Sequence, residues 1–222
     1  MSDKEKTRIN RVITRTGDRG DTGLADGSRV SKWHPRIQVL GELDELNSGL
    51  GVLRARSLDT DLDTVLGLAQ QLLFDIGGEL AIPGHRVIDD HDLVELESRA
   101  DTFNAELPPL KEFVLPGGHP DAAWCHHCRT VARRTERHFV ALHEADEDAV
   151  NPVSLALVNR LSDLLFVMAR VINLRHTVLE ADVLLLAAMK SLVSTWTFLT
   201  LEQLRTPTAP PLTGLNGKKT SR

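Results

Sequence analysis

The chain has 222 residues with a formal net charge of −5, 41% hydrophobic and 26% charged residues, which is the profile of a water-soluble globular protein. Aromatics make up 4% and tyrosine is absent. A nucleic-acid platform of stacked rings is therefore excluded, and no global basic field exists to recruit DNA or an acidic membrane.

The N-terminal arm, residues 1–34, is polar and loop-like. Within it residues 14–23, TRTGDRGDTG, carry no large apolar side chain. Such a segment cannot join a core, but its backbone N–H groups and hydroxyls can wrap a polyanion. It is not the common phosphate loop, since no G-x-x-x-x-G-K-[ST] occurs in the chain. An exposed turn is the alternative reading of this stretch alone.

Five helices follow. Pro35 sits where a first turn begins, and Ile37, Leu40, Leu43, Leu50 and Leu53 recur at helical spacing over 36–56. Residues 62–82 give a second helix with Leu62, Leu66, Leu72, Leu73 and Ile76 in its stripe, broken at Pro83-Gly84. A third runs over 90–106 and stops at Pro108-Pro109. Residues 110–119 form a short extended apolar piece closed by a Pro-Gly-Gly turn. A fourth helix spans 120–144. The fifth, 152–174, is apolar on almost every side except Asn159, Arg160, Asp163 and Arg170, which places it centrally. A sixth helical stretch is expected over 178–204. Its apolar part, 183–199, is interrupted by Lys190, Ser191, Ser194 and Thr195, so it reads as a buried or interface helix rather than a membrane span. Residues 206–222 read as a disordered tail. No strand-rich region and no repeat is visible. The expectation is an all-α bundle, a single domain over 1–205.

Several constellations could carry chemistry. Arg129, Arg133 and Arg137 form one stripe on the fourth helix at i, i+4 and i+8, with Arg134 and Glu136 among them. A solvated face and a triphosphate or carboxylate clamp both fit that stripe. Glu42, Asp44 and Glu45 make an acidic knot on the first helix, followed by Asn47, that could answer it. Cys125-His126-His127-Cys128 looks like a metal cluster, but a helix directs its two histidines away from the cysteine face, and no second C-x-x-C accompanies it. Two cysteines three residues apart suit a reducing compartment, so a cytoplasmic location is expected. No E-x-x-H or G-x-S-x-G occurs, so a carboxylate di-iron site and a serine nucleophile are disfavoured. If the chain is an enzyme, the reactive centre belongs to a bound cofactor or substrate.

In series, TRTGDRGDTGL (14–24), RVSKWHPRIQVLGELDELNSGLG (29–51), EFVLPGG (112–118), CRTVARRTERH (128–138) and LVNRLSDLLFVMAR (157–170) resemble the PduO-type ATP:cob(I)alamin adenosyltransferases over residues 8–173. The resemblance implies a five-helix bundle, a homotrimer with active sites between subunits, and transfer of the 5′-deoxyadenosyl group of ATP to cobalt with release of triphosphate. Magnesium is implied, held mainly through the ATP phosphates. Carried across by motif, ATP binding falls to Thr14, Arg15, Thr16, Gly17, Thr22, Gly23, Lys32, Arg133, Arg134, Thr135, Glu136, Arg137 and Asn159. Arg133 and Phe113 are the implied catalytic residues, with Phe113 beneath the corrin ring. Asp44 and Arg129 match an intersubunit salt bridge. Protein partners beyond the trimer would be an adenosylcobalamin-dependent mutase or a reductase; no nucleic acid and no membrane is expected. A non-catalytic ATP- or cobalamin-binding module and a purely structural bundle are the competing readings. The resemblance fades after Asn173, and residues 174–205 suggest an additional helical segment.

Overall fold

A computed structural model describes residues 13–56 and 58–180. Two compact units are present. The larger holds residues up to Lys111 and Pro116–Glu180; the smaller is Glu112–Leu115 together with Ala181–Arg222, of which only the first four residues are described. In that short piece Phe113 is 85% exposed and Leu115 is also exposed.

The larger unit consists of β1 (Asp21–Gly23), β2 (Arg29–Ser31), α1 (Pro35–Arg54), α2 (Thr60–Ala81), α3 (Asp90–Asn104), α4 (Pro120–Ala145), a 3-10 turn (Glu147–Ala149) and α5 (Pro152–Arg175). Three of the five helices start the same way. His34, Asn151 and His119 each cap through a side-chain atom that accepts a backbone N–H, and each precedes a proline at the first helical position. Proline there loses no helical bond and has its φ already set. α3 instead has a capping box, in which Asp89 accepts from the backbone of His91 and Asp92 while Asp92 accepts from the backbone of Asp89.

Around the bundle the helices pack in the order α2, α1, α4, α5, α3, and α2 closes the ring by touching α3 and α5. α5 packs most extensively on α4 and α3, as its apolar sequence requires. Leu157, Val158, Leu161, Leu164, Leu165, Met168 and Ala169 are fully buried. Leu46, Leu50 and Leu53 of α1 and Leu66, Leu73 and Ile76 of α2 complete the core. Two details differ from expectation. Ile37 and Leu40 lie at the edge of the α1 stripe, where Val39 and Leu46 take the buried register. The N-terminal arm is not all loop: β1 and β2 form an antiparallel hairpin with Asp21 opposite Ser31 and Gly23 opposite Arg29.

A buried carboxylate joins three parts of the bundle. Glu79 of α2 accepts from the backbone N–H groups of Val87 and Ile88, from Asn151 Nδ2 and from Ser154 Oγ. It thus fixes the α2–α3 connection to the start of α5. At the other end Arg175 donates to Asp59, Asp61 and Glu106, tying α5 to the ends of α2 and α3. Its bond to Asp61 also holds that carboxyl below the usual carboxylate range.

After α5 the chain turns at His176 and Thr177, the latter with φ +57°. Val178–Glu180 are not helical, so the expected sixth helix does not begin at 178; its remainder, and the expected tail, lie outside the described residues. Arg170, almost fully buried, donates to Glu180 and to the Pro108 carbonyl. Asn173 grips the Pro-Gly-Gly turn: it accepts from His119 N and donates to Gly117 O. A Cβ on Gly118 (φ +97°) would stand 2.2 Å from Asn173 Oδ1, so only glycine fits there.

Burial pushes the Glu79 carboxyl up, but its four hydrogen bonds outweigh that and hold it below its ordinary 4.5. The unfolded chain therefore takes up this proton first, and stability should fall as pH drops from about 4.5 through the lower native value. Glu79→Ala would take the acceptor from the Ser154 hydroxyl and the Val87 and Ile88 N–H groups, Asn151 keeping the Ile88 carbonyl, and should cost about 3 kcal/mol at neutral pH, read by urea unfolding. A cost under about 1 kcal/mol would show that the network is not a fixed joint.

Candidate functional site: a cationic groove and a hydroxyl-rich hairpin

The arm reaches the bundle through its hairpin. Ala25 N donates to the Ala81 carbonyl at the end of α2 (3.0 Å). Before β1 the chain makes a tight loop. Arg15 adopts φ +62°, Gly20 φ +94°, and Gly20 N donates to Gly17 O. Lys32, just past β2, returns over this loop: its backbone N donates to Gly20 O at 2.8 Å, and a Cβ on Gly17 would meet its Nζ at 3.2 Å. Thr14 and Thr16 share a hydroxyl–hydroxyl bond of 3.0 Å. The sequence-predicted residues Thr14, Arg15, Thr16, Gly17, Thr22, Gly23 and Lys32 are thus gathered on one hairpin and its leading loop. The ammonium, hydroxyls and glycine backbone there suit an anion with many oxygens.

Arg29 was not singled out by sequence. It donates to the Thr16 carbonyl at 2.8 Å and reaches the Asp21 carboxylate at 3.5 Å, stitching the loop to the strand. Its only sequence signal is its place opposite Gly23 once the hairpin register is known.

The second group lies on α4 and α5. Arg129 and Arg133 line a groove of about 190 Å³ with Ser162, Asp163, Phe166 and Val167. Neither guanidinium has a hydrogen-bond or ion-pair partner among the described residues, and Arg129 Nε is buried. Burial, then repulsion from Arg133, pulls the Arg129 pKa below its ordinary value. Two adjacent unpaired guanidiniums at a half-buried groove are costly without an anion and receptive to one. One turn on, Arg137 donates to the Arg133 carbonyl, and Glu136 accepts from Asn159 Nδ2.

Two predicted members of this block point elsewhere. Thr135 is fully buried and donates to Val131 O within its own helix, so it presents nothing to a ligand. Arg134 turns the other way around α4 and pairs with Glu45, with Glu42 at 3.8 Å. The acidic knot therefore answers Arg134 and His138, the latter through Glu42, and not the Arg129–Arg133–Arg137 stripe. The helical period explains this: Arg134 is one residue, about 100°, off the stripe.

Asp44 is exposed and also has no partner among the described residues. It lines a groove of about 320 Å³ between α1 and α2, with Leu40, Asn47, Leu73, Gly77 and the 73% exposed Phe74. It makes no ion pair with Arg129 in the chain, and each lines a different groove. No hydrogen bond or ion pair among the described residues joins Thr14–His34 to α4 or α5. Among the described residues the hairpin loop and the α4–α5 block are therefore two separate groups.

The Cys-His-His-Cys run spreads over three directions. Cys125 is in the core and donates to Leu165 O. Cys128 is buried beside it, its thiol pushed up to about 12 by burial. His126 is buried against Phe166, where burial and the Arg129 charge lower it to about 4, a neutral ring at physiological pH. His127 lies beside Trp124.

A helical bundle with two open guanidiniums and a hydroxyl-rich hairpin has the donors that a polyphosphate would need. Residues 12–172 match the family model for cobalamin adenosyltransferase. A cobalamin adenosyltransferase of Cupriavidus metallidurans is 48% identical over 167 residues, spanning 75% of this chain and 90% of that protein. A corrinoid adenosyltransferase of Bacillus subtilis is 42% identical over 181 residues, 78% of this chain and 91% of that one. Among solved structures, a Phe-to-Ala variant of the PduO-type ATP:corrinoid adenosyltransferase from Lactobacillus reuteri, complexed with cobalamin and ATP, aligns with a TM-score of 0.72. It is 33% identical, covering 78% of this chain and 98% of that one. The chain belongs to the cobalamin adenosyltransferase family. The match ends before Asn173, so residues 173–222 lie beyond it.

Proposed function

We propose that the protein transfers the 5′-deoxyadenosyl group of ATP to the cobalt of a reduced corrinoid, at sites completed by neighbouring subunits of a homotrimer. The observation that carries this reading is the unpaired guanidinium of Arg133 beside the Glu136–Asn159 pair in a member of this family. In the reaction the cobalt electron pair forms a Co–C5′ bond, the C5′–O bond breaks, and triphosphate leaves with those electrons. Cobalt(I) is itself the nucleophile, so the chain needs no activated serine, cysteine or general base. Its task is to hold C5′ in line and to neutralise the charge that grows on the departing triphosphate.

The division of labour follows from charge. Lys32, Arg15 and the Thr14, Thr16, Gly17, Thr22 and Gly23 loop take the phosphates, with Arg133 and Arg137 from α4. Glu136 does not serve that end, because a carboxylate repels phosphate; with Asn159, which donates to it, it suits the hydroxyls and amine of the nucleoside. Magnesium fits the oxygen-rich loop, where the Thr14 and Thr16 hydroxyls and the Asp18 carboxylate are hard donors of the kind it takes, and it would offset phosphate charge when bound. Phe113 supplies a hydrocarbon ring without lone pairs. Below a corrin it would exclude a lower axial ligand and ease reduction of cobalt(II).

The subunit contact rests on two unpaired charges. Asp44 stands at the rim of an apolar groove bearing exposed Phe74, and Arg129 is a half-buried cation without a partner. We assign them to each other across the trimer interface. Two free, buried thiols suit a reducing, cytoplasmic compartment, and no described helix is long and apolar enough to cross a membrane.

Purified protein given ATP, Mg²⁺ and chemically reduced cobalamin should form adenosylcobalamin, followed by its absorbance; no product overturns the proposal. Phe113→Ala should slow the reaction from cobalt(II) by about tenfold or more while sparing the reaction from pre-reduced cobalt(I). Equal loss from both would remove the ring from the corrin floor. Arg129→Glu and Asp44→Arg should each break the trimer in light scattering and lower activity about tenfold, and the double variant should regain part of both. Single variants that remain trimeric and fully active would refute the pairing.

A further inference from the structure

Asn159 is the one nucleoside-facing group in this reading whose polarity could be reversed, because an amide offers a donor at one end and an acceptor at the other. Two neighbours settle it. Glu136 of α4 accepts from Nδ2. On the other side Arg160 Nη1 donates to Oδ1 at 2.8 Å. A carboxylate only accepts and a guanidinium only donates, so the amide has one orientation that satisfies both. Arg160 is in turn held by Glu97 of α3, Nε to Oε1 at 2.7 Å, with Asp163 at 3.7 Å. The chain Glu97–Arg160–Asn159–Glu136 runs across α3, α5 and α4.

We infer that Arg160, held by Glu97, is a positioning residue for nucleotide recognition: it fixes the Asn159 amide so that Nδ2 faces Glu136 and the pair presents one set donor–acceptor pattern to the nucleoside. This rests on the reading of Asn159 as a nucleotide contact. Arg160 is not a phosphate ligand itself. Its guanidinium is committed to Glu97 and Asn159, unlike the open guanidiniums of Arg129 and Arg133. Nor is the pair a structural staple. Arg160 and Glu97 are 43% and 42% exposed, and exposed ion pairs contribute little to stability. Removing Arg160 therefore leaves the fold intact but leaves Oδ1 without its donor and lets the amide swing. The nucleotide then meets an Asn159 that must be ordered on binding, which weakens ATP affinity without touching the corrinoid.

The test is a double-mutant cycle read by ATP calorimetry and by separate KM values for ATP and cob(I)alamin. Asn159→Ala should weaken ATP binding about tenfold or more, and Arg160→Leu about fivefold, with the KM for cob(I)alamin and the melting temperature unchanged. In the Asn159→Ala background Arg160→Leu should add less than about twofold, since its route to the ligand is gone. Glu97→Gln, a surface change, should give a smaller effect of the same kind, and Arg160→Lys, which keeps a donor but not the fork, should recover part of the loss. If Asn159→Ala weakens ATP but Arg160→Leu and Glu97→Gln do not, or if the effects simply add, the relay is wrong and the reading of Asn159 stands. If Asn159→Ala leaves ATP binding unchanged, the reading of Asn159 fails, and the relay with it.

Discussion

A polar group inside a helical bundle must find a partner, and α5 is where that constraint shapes this protein. The helix is apolar nearly throughout, and several polar residues along it are answered from a neighbouring element. Asn151 and Ser154 answer Glu79 of α2. Asn159 answers Glu136 of α4, Arg170 reaches Pro108 and Glu180, and Asn173 holds the Gly117–His119 turn. These bonds are the joints of the bundle, and they lie at intervals along its central rod. Against that background the open guanidiniums of Arg129 and Arg133 stand out. They face α5 across a groove, where every other cation near the core is paired with an acid or a carbonyl.

That contrast separates structural charge from functional charge. Arg175 and Arg54 are fully engaged with carboxylates, and Arg134 is held by the acids of α1. Each gains little from a ligand. Arg129, half-buried and repelled by Arg133, is held in an unfavourable state that an anion relieves. The arm has the same character in a different form: an exposed ammonium laid over a glycine, and hydroxyls bonded to one another rather than to the core.

Much of the bundle was legible because its signals are local. A proline after a capping residue starts α1, α4 and α5, and apolar spacing sets their lengths to within two residues. The hairpin was not legible, since three-residue strands of polar residues have no period to read. Ile37 and Leu40 share the helical spacing of Leu43 and Leu50 yet are only partly buried; which side of α1 is buried depends on α2 and α4, which sequence does not place. The same holds for the site. Motif order picks out the arm and the α4 block as segments, but it does not say that Thr135 points inward or that Arg134 turns to Glu45. Partners from distant segments, such as Arg29 with Thr16 and Glu97 with Arg160, carry no local pattern at all.

The chemistry proposed here asks little of the protein in reactive groups and much in placement, and the fold is suited to that demand. A rigid five-helix core with satisfied joints can hold an amide and a carboxylate in fixed relation on adjacent helices, because α4 and α5 cannot shift without breaking Asn159 to Glu136. The phosphate-binding arm is a different kind of element. Its hairpin is attached to its own bundle by a backbone bond to Ala81, and among the described residues Thr14–His34 make no hydrogen bond or ion pair with α4 or α5. In the proposed reading the nucleoside would meet the rigid α4–α5 pair while its phosphates are shared between the arm and Arg133 and Arg137, with C5′ between them. On that proposal the reacting carbon would be positioned where subunits meet, and assembly would be a condition of catalysis rather than an accessory to it.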